Sequence, residues 1–113
     1  MNRGDVVIID FPYSDRTGSK VRPSLVVQSD MLNSIRHDAI LAIITSMSSG
    51  RPDTEILIEV TDEPSSGLRF DSYLQCDTLA TLDQSLVLDV IGSLSAQAMQ
   101  KVNQCLKAAL GLP

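Results

Sequence analysis

A single histidine, His37, and two cysteines, Cys76 and Cys105, are all that this 113-residue chain offers of the side chains that most often ligate transition metals. One imidazole and two thiols fall short of a four-ligand zinc site, and two cysteines are too few for the disulfide framework of a small secreted domain. Both thiols are expected to be free and buried, in a reducing compartment. Long apolar runs are missing as well. No stretch approaches the roughly 20 apolar residues of a membrane span, and the first residues show no charged segment leading into an apolar core. A cytoplasmic protein with no membrane attachment is the expectation.

Positive charge is scarce: nine Lys and Arg stand against fourteen Asp and Glu, a net charge of −5. That balance argues against a broad nucleic-acid surface, because phosphate contacts are built from Lys and Arg. The deficit is uneven, however. Through Pro52 six bases face five acids, giving +1, whereas from Asp53 onward three bases face nine acids, giving −6. Any groove for an anionic polymer must therefore be local to the first half. Aromatic residues are few: Phe11, Tyr13, Phe70 and Tyr73. Single-stranded nucleic acid is usually held by stacking on such rings, and Tyr13, in an expected loop, is the best-placed platform. Phe11 and Phe70 are expected in the core.

What is present describes one folded domain over residues 1–113, with 43% hydrophobic and only 20% charged residues. Val6 to Phe11 and Ser24 to Val27 are rich in β-branched residues and predict two strands, joined by a loop containing Pro12, Ser14, Asp15 and Gly18. Arg22 stands at the foot of the second strand, where Pro23 biases it toward an extended conformation. Ser29-Asp30 can cap a short helix through Asn33, followed by a strand from Ala39 to Thr45 that is apolar on both faces and should be central. Glu55 to Val60 alternates as a half-exposed strand with Glu55 and Glu59 outward. Thr61 to Arg69 reads as a loop. Ser72 to Leu79 reads as a strand with Gln75 and Asp77 on one face, and Leu86 to Leu94 as another. From Ser95 the period changes: Met99, Val102, Leu106 and Ala109 predict an amphipathic helix capped by Ser95 and stopped by Gly111. The sum is an α+β domain, an antiparallel, partly closed small barrel with a C-terminal helix.

Several of these pieces carry a resemblance. Arg3-Gly4-Asp5 with the following Val and Ile residues, Gly18-Ser19, Arg22-Pro23, Ile43-Ile44-Thr45-Ser46, Cys76-Asp77, Thr81-Leu82-Asp83 and Gly92-Ser93-Leu94-Ser95 occur in an order that resembles the MazF/PemK family of toxin endoribonucleases. The resemblance covers nearly the whole chain. It implies an SH3-like (CcdB/MazF-like) barrel, a homodimer, and the toxin of a type II toxin–antitoxin system. Such a toxin cleaves single-stranded RNA, without metal or other cofactor, by attack of a 2′-hydroxyl, leaving 2′,3′-cyclic phosphate and 5′-hydroxyl ends. It also implies a MazE/PemI-like antitoxin partner with an acidic, disordered tail.

The resemblance assigns catalysis to Arg22, Thr45 and Asp77. Arg22 suits stabilisation of charge developing on phosphorus, and an ion pair with a carboxylate is its plain structural alternative. Thr45 can donate a hydroxyl beside it or bond its own backbone, and Ser46 can take its place. Asp77 can act as base toward the 2′-hydroxyl, or brace the turn at Thr78. Tyr13, Arg16, Ser19, Lys20, Ser46 and Gln75 are candidate RNA contacts. Gln75 and Ser19 stand where some PemK-like members carry Arg and His, Ala80 stands where an Arg is common, and Lys20-Val21 is a shortened loop. These departures favour a degenerate, non-catalytic dimer that binds antitoxin or RNA as the alternative. A CcdB-like gyrase-binding toxin is a further one, set against by the absence of Trp. His37 reads as solvated.

Overall fold

The structure, a computed structural model, describes residues 1–11 and 20–113, with Lys20 described through its backbone alone. Tyr13, Arg16, Ser19 and the Lys20 side chain, all candidate RNA contacts, lie outside the described residues.

Six antiparallel strands make one sheet: β1 (Asp5–Phe11), β2 (Lys20–Val26), β3 (Asp38–Thr45), β4 (Glu55–Ile58), β5 (Ser72–Asp83) and β6 (Val87–Ser93). Their spatial order is β4-β5-β3-β2-β1-β6. With helices α1 (Asp30–Ile35) and α2 (Ala96–Leu110), this is the α+β small-barrel fold expected from the sequence. β1, β3 and the Leu25–Val26 end of β2 supply apolar side chains to both faces because both faces are covered. On one face Val6, Leu25, Ala42, Ile44, Leu74 and Cys76 pack against Val102, Met99, Leu106 and Ala109 of α2. On the other, Val7, Ile9, Phe11, Val26, Ala39 and Leu41 form a second cluster. Cys76 and Cys105 are free thiols, Cys76 fully buried.

The helices begin and end where their caps predict. Ser95 Oγ accepts from Ala98 N at 3.1 Å, and Gly111, at φ 70°, turns the chain so that Leu112 N reaches Lys107 O at 2.8 Å. Ser29 Oγ caps α1 through Leu32 N at 3.3 Å. That helix runs past Asn33 to Ile35, and buried polar side chains hold it. Asn33 Nδ2 donates to Gln28 O at 3.1 Å, and Gln28 Nε2 donates back to Asn33 Oδ1 at 3.0 Å.

Three strands and one side chain differ from expectation. β2 begins at Lys20 rather than Ser24, so Lys20 and Val21 belong to the strand and not to a loop, and Arg22 lies within it opposite Ile9. β4 stops at Ile58, because Val60 N leaves the sheet to bond Asp71 Oδ1 at 2.8 Å. β5 continues to Asp83 through a register break: Ala42 faces Leu79, but the next residue, Ile43, faces Gln75. Cys76, Asp77 and Thr78 therefore bulge away from β3. Phe70 is not a core residue but 76% exposed. It precedes β5 on a turn fixed by polar contacts, Ser72 Oγ donating to Phe70 O at 2.8 Å, and so the ring lies beyond the edge of the packed sheet.

Candidate active site

Strand register brings Arg22 and Thr45 to one cleft. The pairing of β2 with β3 ends where Ser24 faces Ile43, and Arg22 and Thr45 each stand two residues beyond that pair, on the same side of their strands as Ser24 and Ile43. Ile9 flanks Arg22 on β1 and Tyr73 flanks Thr45 on β5. Arg22 and Thr45, with Val21, Pro23, Ile44, Ser46, Phe70 and Ser72, line a cleft of about 300 Å³.

Arg22 is half-buried, and its Nε is shielded from solvent with no hydrogen-bond partner among the described residues. Nor does it form an ion pair among them. An unpaired guanidinium donor costs stability, and Arg22 borders a cleft in which its guanidinium can pair with an anion. Among the described residues, Thr45 Oγ1 accepts only a long 3.4 Å contact from Met47 N, which leaves its own proton free to donate. Ser46 adds a hydroxyl to the same wall, whereas the Ser72 hydroxyl is engaged by Phe70 O.

Asp77 is elsewhere. It lies in the bulge of β5, between Gln75, which faces Ile43, and Leu79, which faces Ala42, and it does not line the cleft. Its Oδ2 accepts from Arg51 Nε at 2.7 Å and from Thr54 Oγ1 at 2.9 Å, and its Oδ1 accepts from Thr78 Oγ1 at 3.2 Å. The Arg51 guanidinium, helped by Thr54, holds its carboxyl below the usual carboxylate range. Of the two readings open for Asp77, base or brace, these contacts support the brace. Arg51, unremarked in the sequence, is its partner.

Gln75 shares that face of β5, as expected, but it is buried and points into a polar network rather than into the cleft. Its Nε2 donates to Glu55 Oε1 at 3.0 Å and to Met47 O at 3.3 Å. Glu55, expected to face outward, gathers the loop that follows Thr45: Ser48 Oγ donates to it, as do Ser49 N at 2.8 Å and Ser49 Oγ at 3.0 Å. Glu55 and Asp77 thus pin both ends of the 47–54 loop against β5. His37 is exposed, as expected, and is not among the residues lining the cleft.

The donors around Glu55, Ser48 first and then Ser49 and Gln75, lower its pKa to about 2. A folded-state pKa below the unfolded value adds stability above the unfolded pKa, and that stability is lost as pH falls through the folded one. The melting-temperature gap between the parent and Glu55→Gln is therefore expected to be widest near pH 7. It should shrink steadily below the ordinary carboxylate pKa toward pH 2 in parallel acid melts. A gap independent of pH would mean that the Glu55 charge is not what holds the loop.

Of the residues picked from the sequence, Arg22, Thr45 and Ser46 meet in one cleft, while Asp77 and Gln75 support its neighbourhood. Phe70 and Ser72 belong to the cleft without having been picked. The one available signal for Phe70 was an aromatic placed just after a Ser/Gly-rich loop, outside any alternating run.

The chain is similar to known proteins over nearly its whole length. Endoribonuclease EndoA of Bacillus subtilis (strain 168) is 32% identical over 114 aligned residues, covering 99% of this chain and 96% of that protein. Endoribonuclease MazF of Staphylococcus saprophyticus is 29% identical, with 99% and 92% covered. A solved endoribonuclease in complex with its cognate antitoxin, from a mycobacterial species, superposes with a TM-score of 0.83 at 26% identity, covering 100% of this chain and 97% of its own. Residues 2–110 match the PemK-like, MazF-like toxins of type II toxin–antitoxin systems, and the chain belongs to that family.

Proposed function

We propose that residues 1–113 form a single toxin domain of a type II toxin–antitoxin pair, an endoribonuclease that cuts single-stranded RNA at the Arg22–Thr45 cleft. The observation that carries the site is the shielded, unpaired Arg22 Nε sharing a cleft with a Thr45 hydroxyl that is free to donate among the described residues. The family match and the endoribonuclease relatives carry the reaction.

A phosphodiester seated in the cleft takes two charge-assisted hydrogen bonds from the guanidinium and one from Thr45. As the 2′-hydroxyl attacks the adjacent phosphorus, negative charge grows on the non-bridging oxygens, and donors already in place stabilise it without reorganisation. The products are a 2′,3′-cyclic phosphate and a 5′-hydroxyl. The described residues of the cleft include no carboxylate or imidazole, so their contribution is electrostatic, and Asp77 acts through the loop it braces with Arg51. Ser46 is a further phosphate contact and Gln75 a positioning residue, while Tyr13, Arg16, Ser19 and Lys20 would extend the RNA path. A homodimer doubles the few basic side chains available to one strand. The partner is an antitoxin, as for the mycobacterial relative. No helix among the described residues is long and apolar enough to cross a membrane, and an mRNA substrate fits a cytoplasmic location.

Purified protein incubated with a long single-stranded RNA in EDTA should produce discrete cuts whose 3′ fragments accept phosphate from a kinase without prior dephosphorylation. Thr45→Val should slow them about 10²-fold. Intact RNA over a wide range of protein concentration would overturn the nuclease and leave a non-catalytic binder.

A further inference from the structure

Phe70 stands apart among the described aromatic residues. Phe11 is buried and Tyr73 half-buried within the sheet, whereas Phe70 is 76% exposed and lines the same cleft as Arg22. An aromatic side chain selected for folding alone is ordinarily covered. This one is held out on a braced turn: Ser72 Oγ bonds the Phe70 carbonyl at 2.8 Å and Asp71 Oδ1 takes Val60 N at 2.8 Å. The cleft is consequently bipolar. Arg22, Thr45 and Ser46 supply cation and hydroxyls, while exposed Phe70 and Val21 (59% exposed) with half-buried Pro23 supply apolar surface. A nucleotide has the same two poles, an anionic phosphate and a flat ring that stacks.

We propose that Phe70 is a base-stacking residue, its ring with Val21 and Pro23 forming the seat for the nucleobase next to the phosphate held by Arg22. This rests on the nuclease reading of the cleft and deepens it. Stacking is tolerant of base identity, so the seat contributes affinity and strand position, while hydrogen-bonding groups elsewhere choose the sequence. Because substrate and transition state keep the same base in the seat, losing it raises KM and leaves kcat nearly unchanged.

Two arms test this. Phe70→Ala, at an exposed position where the fold is little affected, should raise KM for RNA cleavage roughly 5- to 150-fold with kcat within about twofold, and Phe70→Tyr should restore the parental KM. An unchanged KM in Phe70→Ala would overturn the proposal. The second arm does not need cleavage. The chain contains no tryptophan, so Phe70→Trp is a single reporter. Its emission should be quenched saturably by a 2′-O-methyl RNA oligonucleotide, which lacks the attacking hydroxyl. Emission indifferent to the oligonucleotide, or changing only with protein concentration because a second copy covers the ring, would overturn the seat. Quenching by a protein that cuts no RNA would keep the seat and remove the nuclease.

Discussion

Arg22→Ala is expected to lower kcat for RNA cleavage by roughly 10³-fold while leaving the melting temperature within about 2 °C of the parent. The two halves of that expectation come from the same observation. The Arg22 Nε has no partner among the described residues, so truncation breaks no hydrogen bond or ion pair to them and relieves a shielded, unpaired donor. The transition state, by contrast, loses the one guanidinium among the described residues of the cleft. Arg22→Lys keeps a charge but not the planar fork, and it should recover only part of the loss. Single-turnover cleavage with excess protein separates this effect from binding, and thermal melts in the same buffer supply the second half. Parental cutting by Arg22→Ala would remove Arg22 from the mechanism. Equal losses of activity and stability would show instead that Arg22 is a structural residue.

Gly92→Ala should be the most damaging single-methyl change in the sheet, costing about 3 kcal/mol and lowering the melting temperature by roughly 10–20 °C. A Cβ at Gly92 would sit 2.2 Å from Ser65 O, 2.4 Å from Ser66 C and 2.5 Å from Ser66 O. All three are backbone atoms of a turn whose Ser66 is fully buried, so no side chain can swing aside. Nearby bonds fix that turn to the end of β6. Ser65 Oγ donates to Ser93 O at 3.1 Å, and the Glu63 carboxylate accepts from Ser95 N at 2.7 Å and Ser95 Oγ at 2.9 Å. Gly50→Ala is the control. At φ 78°, with nothing within 4 Å of its would-be Cβ, it carries backbone strain alone and should cost about 1 kcal/mol. Denaturant unfolding of both variants decides the matter, and a Gly92→Ala loss no larger than that of Gly50→Ala would show that β6 yields to the turn. The glycine that opens the Gly92-Ser93-Leu94-Ser95 motif thus has a packing reason, independent of catalysis.

The residues supporting the cleft were legible in the sequence to different degrees. Thr45 could be placed at a strand end, and Arg22 in extended backbone, because β-branched runs and Pro23 report on backbone a few residues away, but the strand reaches back to Lys20 through pairing with β1 that the sequence around Arg22 does not show. Asp77 was legible as a polar residue on β5 but not as the partner of Arg51, whose loop residues carry no periodic pattern. Glu55 read as a solvent-facing charge on an alternating strand, and only the folding back of Ser48 and Ser49 turned it into an acceptor for the loop after Thr45.

The sequence alone sufficed for what depends on near neighbours: the apolar runs of β1 and β3 that had to be covered on both faces, the inward Ile56 and Ile58 of β4, and the Ser95 and Gly111 ends of α2. A side-chain period and a cap act within a turn of helix or a few strand residues, and so they are written in consecutive letters. The tertiary structure alone decided which positions meet. The β2–β3 register brings Arg22 and Thr45 to one cleft, the bulge at Cys76 to Thr78 breaks the pairing of β5 with β3, and the turn before β5 leaves Phe70 uncovered. Register depends on free energies of pairing summed between strands distant in the chain, and a residue's alternation states which face it takes but not which residue it will face.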